Sequence, residues 1–317
     1  MIFKNIIATT ELDAHGQQIP EDVLFDMAEN INNSPSAIKY IVGHDSTILP
    51  IGKIIYAEII ELPNGHKALQ ATIDRFLENF KKSEGPNGEI VYIGKSELDN
   101  RPFVEYDNKN HFELSINPLN FSKEDFYEIV DYIKNETNIK INPVIKKSLI
   151  PEPELVLHVV SGLILMLVTK KSIDKIADKI SEDVASVYDK IKEIILKVSS
   201  KIKDGKTITY IISEQGQPIE HVVRTAKTEI LFDALDSLKD NSILKKVNLY
   251  SNFFDSPISK IQFIYNSELS KWDVNFATII TGESIGSEKC YMNAVELHAK
   301  TLESPSVGFS IGSSING

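Results

Sequence analysis

An imidazole at the end of an apolar strand is well placed for proton transfer, and His44 occupies such a position. Ile38 to Val42 has the β-branched and aromatic density of a strand, and Pro50 and Gly52 punctuate the re-entry into a second apolar run, Lys53 to Leu62. Imidazole titrates near neutrality, and a carboxylate such as Asp13 or Asp45 could fix its tautomer, so the residue types suit a general base. The alternative at His44 is a surface or hydrogen-bonded structural histidine, the ordinary state of a single histidine in an acidic chain.

The elements that must position it are legible on either side. Ile2 to Leu12 reads as a first strand. After the turn-rich passage Glu11 to Pro20, Val23, Leu24, Met27, Ala28 and Ile31 recur at helical spacing behind a proline that the first turn tolerates. Pro63-Asn64-Gly65 between two apolar runs predicts a tight hairpin, which places the histidine strand in an antiparallel sheet. Lys81 to Gly88 reads as a loop, part of a polar region that could form a flap, and Ile90 to Ile93 as a short strand. His111 to Pro118 alternates as a strand with Ser115 near its end, and Ser122 is placed to cap a helix running to about Lys134.

Asn142-Pro143 and Pro151-Glu152-Pro153 mark a boundary. Beyond it, Leu155 to Val168 is the most apolar run of the chain, but it falls short of the roughly 20 residues that cross a bilayer, so membrane contact there is possible and not favoured. From Ile173 to Ile202, isoleucines and valines return at steps of three and four with no glycine or proline among them. One long amphipathic helix is expected, able to pack on a domain or to self-associate. The last third reads as strand Thr207 to Ser213, helix Ile219 to about Leu238, strands near Val247 to Tyr250, Ile258 to Tyr265 and Trp272 to Ile280, and a helix from Cys290 to Leu302. The tail Ser304 to Ser314 is rich in glycine and serine without the pattern of a phosphate loop.

Composition bounds the function. A chain of 317 residues with a net charge of −11 lacks the basic surplus that a phosphate backbone demands, which argues against a general nucleic-acid binder. A single cysteine, Cys290, leaves no disulfide framework and no thiolate zinc cluster, and the first residues lack the features of a secretory signal. A cytoplasmic protein without a cofactor is the expectation.

Glu11-Leu12-Asp13-Ala14-His15-Gly16-Gln17-Gln18-Ile19-Pro20 leads to Leu24-Phe25-Asp26-Met27-Ala28-Glu29. Then come Val42-Gly43-His44-Asp45 with Pro50-Ile51-Gly52-Lys53, the hairpin Asn64-Gly65-His66-Lys67-Ala68-Leu69, and a later serine strand. In this order the elements resemble those of the serine proteases that mature tailed-phage procapsids, the capsid-scaffold and prohead proteases, over about residues 1 to 125. The resemblance implies a serine hydrolase of viral assembly in which His44 is the base and Asp13 its orienter. It also implies a nucleophilic serine on a neighbouring strand. Leu114-Ser115-Ile116-Asn117-Pro118 matches the serine strand, while Ser96 in Gly94-Lys95-Ser96-Glu97-Leu98 lies at the more usual separation from His44. Ser115 is preferred, because a strand end holds a hydroxyl within reach of imidazole more reliably than a polar loop.

The expected fold class is α+β, in three consecutive units: a mainly antiparallel, prohead-protease-like unit over residues 1–150, the apolar segment and long helix over 151–205, and a separate α+β unit over 206–317. The expected activity is that of a serine endopeptidase acting through an acyl-enzyme on a protein substrate. The alternatives are a non-catalytic module of the same fold that binds a protein partner, and a peripheral membrane-associated effector.

Overall fold

A computed structural model describes residues 1–12, 18–41, 45–103, 113–116, 118–136, 140–143, 154–159, 177–202, 206–214, 218–238 and 242–303. Asp13, His44, positions 160–176 and the 304–317 tail therefore lie outside the described residues.

The first strands close into an antiparallel sheet of four. β1 (Ile2–Thr9), β4 (Lys67–Arg75), β3 (Gly52–Glu61) and β2 (Ile38–Tyr40) lie side by side in that order. The Asn64-Gly65 turn joins β3 to β4 as expected, with Gly65 at φ 80°, a conformation costly for residues with a Cβ. α1 (Glu21–Asn33) packs Leu24, Ala28 and Ile31 onto this sheet. Its Glu21 and Asp22 sit in the first turn, where they complement the positive end of the helix dipole.

The remaining strands form a mixed sheet of ten, ordered β5-β6-β14-β13-β12-β11-β10-β9-β7-β8. Its members are β5 (Lys81–Glu84), β6 (Ile90–Lys95), β7 (Glu113–Ile116), β8 (Lys140–Pro143), β9 (Glu154–Val159), β10 (Ile208–Glu214), β11 (Ile219–Thr225), β12 (Ile258–Asn266), β13 (Lys271–Ile279) and β14 (Glu283–Ser287). One face is covered by helices. Ile129 and Ile133 of α2 (Lys123–Glu136) share a core with Ile191, Ile194, Ile195 and Val198 of α3 (Ala177–Ser200). The same core takes in Leu231 of α4 (Thr228–Ser237) and Tyr250 of α5 (Ser242–Phe254). The other face carries α6 (Glu288–Glu303), through Cys290, Ala294 and Leu297, in a second core shared with the four-stranded sheet. Two glycines let these layers approach. A Cβ on Gly94 would meet the Phe80 ring at 2.5 Å, and one on Gly286 would meet Leu49 at 3.2 Å.

The class is α+β, and the structure departs from the expected layout at identifiable places. The ten-stranded sheet takes strands from all three expected units, β5–β8 from the first, β9 from the second and β10–β14 from the third, so one hydrogen-bonded sheet runs across both expected boundaries. Antiparallel pairing holds for β1 to β6, but β7 and β8 are parallel, because the connection between them is long enough to house α2 as a crossover. Ile219–Thr225 is a strand rather than the start of a helix, its β-branched residues paired between β10 and β12, and the helix begins only at Thr228. Val247 to Tyr250 lies inside α5, where Ile243, Val247, Tyr250 and Phe254 follow helical spacing onto the core. Lys81–Glu84, expected as loop, is an edge strand paired with β6 through its backbone, and its two lysines suit an edge that must not recruit another chain. Among the described residues no helix is long and apolar enough to cross a membrane.

Candidate functional site

The turn that follows His44 is fixed by a set of buried polar contacts. Asp45 Oδ1 accepts hydrogen bonds from the Thr47 backbone N–H at 2.8 Å and from its hydroxyl at 2.6 Å, a self-contained turn of the kind aspartate favours. The two carbonyls this turn presents are met by side chains from the middle of the ten-stranded sheet. Gln262 of β12 donates to Ser46 O at 2.8 Å, and Asn275 of β13 donates to Thr47 O at 2.7 Å. Asn275 also donates to Gln262 Oε1 at 2.7 Å, so the two amides orient each other. The Cys290 thiol, whose pKa burial pushes up to about 12, lies 3.6 Å from the same Thr47 carbonyl and behaves as a neutral packing group.

A local irregularity makes this possible. The β12–β13 ladder pairs Gln262 with Phe276 and Phe263 with Val274, which leaves Asn275 as an extra residue in a bulge. A bulge re-aims a side chain, and here Asn275 joins Gln262 and Phe276 beneath the turn. Gln262 also donates to Glu220 at 2.9 Å, and Glu220 pairs with Lys260 at 2.5 Å. Glu220, Lys260, Gln262 and Asn275 are thus functional candidates absent from the sequence reading. The signal for Gln262 and Asn275 was an amide at a core position of a central strand, within Ile258–Asn266 and again within Lys271–Ile279.

The two candidate serines are far apart. Ser115 lies on β7, opposite Val156 of β9 and Asn142 of β8, between Leu114 and Ile116, which bury on the helix-covered face. Alternation turns Ser115 to the other face, which is the face of the Gln262 and Asn275 amides. Four strand spacings separate β7 from β12, about 19 Å along the sheet. Ser96 follows β6, seven spacings from β7, roughly 34 Å along the sheet. No one imidazole can serve both hydroxyls.

Ser96 belongs to a buried fastening between the two sheets. It is 2 % exposed and donates its hydroxyl to the Asp74 carboxylate. Lys53, on the strand paired beside Asp74, is 0 % exposed and donates to Asp99 O at 2.5 Å and Arg101 O at 3.0 Å, with its ammonium 4.9 Å from the Phe103 ring centre. Burial lowers the Lys53 pKa, opposed by the charges of Asp99 and Asp74. Arg101 completes the fastening: it pairs with Asp99 at 2.9 Å and donates to Ser34 O and Ile54 O. At Asp99 burial opposes the charge, but the Arg101 bonds outweigh it and leave the carboxyl below its ordinary range. The Ser96 hydroxyl and the Lys53 ammonium are thereby both bonded inside the protein.

Among the described residues no group of three histidine, cysteine or carboxylate side chains is arranged to hold a metal ion. No protein-family model, curated protein or solved structure matches the chain.

Proposed function

We propose that this chain is a non-catalytic binding or assembly module for a protein partner, in which the turn after His44, half-buried at Asp45 and Ser46 and buried at Thr47, is a fixed part of the framework. One observation carries the reading: the turn is fixed on β12 and β13 by buried amides, while Ser115 lies four strand spacings away and the Ser96 hydroxyl is spent on Asp74. Acyl transfer needs the hydroxyl within about 3 Å of the imidazole. A binding module makes no such demand and needs only a rigid framework, of which the turn with its buried Thr47 is part. Buried amides supply that rigidity, at a desolvation cost that their mutual hydrogen bonds offset. The net charge of −11 favours a partner with a basic face.

The competing reading is the serine endopeptidase implied by the resemblance, with His44, Asp13 and Ser115 as the triad. A cysteine cross-link separates the two. A disulfide requires Cα atoms within about 7 Å, and a hydrogen-bonded serine–histidine pair comes close to satisfying that. The double variant His44→Cys/Ser115→Cys is expected to stay reduced under mild oxidation, with Cys290 buried and inert. Efficient formation of a 44–115 disulfide in the folded protein would place the two side chains together and return the chain to the hydrolase reading.

A further inference from the structure

The C-terminal half of α6 is held to the four-stranded sheet by a contact that only one protonation state permits. His298 Nε2 lies 2.7 Å from Arg75 Nη1. A guanidinium has donors only and does not lose its proton in proteins, so Nε2 must be the acceptor, with the imidazole neutral and its proton on Nδ1. The ring is 8 % exposed, and neither its Nδ1 nor Arg75 Nε has a hydrogen-bond partner in the structure. From this geometry we propose that the Arg75–His298 contact is an acid-sensitive pin, whose protonation releases the C-terminal half of α6 from β4.

The surroundings define the charge balance. From β4 comes Arg75, and from the 3-10 turn Leu77–Asn79 comes Glu78, which pairs with Arg75 and favours the charged imidazole. β1 contributes the Phe3 ring, 5.7 Å from the guanidinium carbon, and Met1 just before it contributes its thioether, which accepts from the guanidinium, and its ammonium, which donates to Arg75 O at 2.5 Å and lies 3.9 Å from Asp74. Tyr40 of β2 stays neutral, since burial pushes its phenol up to about 12. Asp74 is bound to Ser96. On the helix itself the charged residues nearest His298 in sequence are Glu296 before it and Lys300 after it. A proton on Nε2 converts an accepted hydrogen bond into two facing donors of like charge, with the imidazole 8 % exposed and little water to screen them. Burial and Arg75 both hold the imidazole pKa below its ordinary value, so release belongs to the acid side of it. Leu297, buried in the second core, leaves with the helix end.

Hydrogen exchange on the full chain tests this, read as protection of α6 amides after Leu297 relative to α3 amides, from about pH 7 down to about pH 4.5. Protection of the α6 end is expected to fall by up to about tenfold per pH unit below the imidazole pKa while α3 holds. In His298→Gln, whose amide oxygen still accepts from Arg75, the α6 end is expected to stay protected throughout. Constant protection in the wild type, or the same loss in the glutamine variant, would overturn the pin. If the variant does not fold, the His298 ring proton resonance of the wild type decides the matter. Its titration must coincide with the loss of protection, and a titration that leaves protection unchanged refutes the proposal.

Discussion

His221 offers a prediction whose size follows from its surroundings. It sits on β11, buried on the helix-covered face, its ring 6.0 Å from Phe263 in a stacked arrangement and 5.2 Å from Trp272 edge to face. Neither ring nitrogen makes a hydrogen bond of good geometry. Burial lowers its pKa from 6.5 to about 4, against the smaller opposing effects of the Ile212 backbone and Glu220. In the unfolded chain the imidazole takes up a proton below about 6.5, whereas the folded protein refuses it until about 4. Stability is therefore lost as pH falls through that window. A gap of about 2.5 units at 1.36 kcal/mol each, allowing for partial titration at the lower end, amounts to about 3 kcal/mol. Urea unfolding of the wild type and of His221→Leu across the window isolates this term, because other acid-labile groups are common to both. The leucine variant should gain about 3 kcal/mol on the wild type between neutral pH and about pH 4, whatever their offset at neutrality. Parallel pH profiles would show that the imidazole is not held neutral in an apolar slot.

Other outcomes follow from the packing. Lys53→Met removes the ammonium that joins β3 to the Asp99 and Arg101 carbonyls and leaves Asp74 and Asp99 without its charge, so urea unfolding should register a loss of about 3 kcal/mol. Gly94→Ala drives a methyl group into the Phe80 ring and should cost about 1–3 kcal/mol by the same assay, while Gly65→Ala, with no neighbour to meet, should cost only the strain of its positive φ, about 1 kcal/mol. Ile194→Asp places a charge in the core between α3 and the ten-stranded sheet and should abolish cooperative unfolding, seen by circular dichroism.

Where sequence and fold agree, the signal was local and reinforced. α1 has its proline entry and an apolar stripe that meets the four-stranded sheet, the β3–β4 hairpin has its Asn-Gly turn, and the Ser122 hydroxyl accepts from the Asp125 N–H at the start of α2. Where they part, tertiary pairing decided. Nothing within Ile219–Thr225 separates a strand from the first turns of a helix until β10 and β12 are known to flank it. Lys81–Glu84 has no apolar residue to announce a strand, since an edge needs only a backbone. The ten-stranded sheet was beyond reach because it pairs β6 with β14 and β9 with β10 across long stretches of chain. The same holds at the candidate site. His44 and Asp45 stand out in the sequence, but Gln262 and Asn275, more than two hundred residues on, reach the Ser46 and Thr47 carbonyls only through the fold.

The central claim is that the chain is a binding or assembly module in which His44 activates no serine for acyl transfer. Labelling with a fluorophosphonate tests it most directly, because the reagent reacts with a serine activated by a neighbouring base and spares an ordinary hydroxyl. The folded protein is expected to remain unlabelled, and His44→Ala to be indistinguishable from the wild type. A stoichiometric adduct on one serine, mapped by mass spectrometry and lost in a folded His44→Ala variant, would contradict the account and establish a hydrolase.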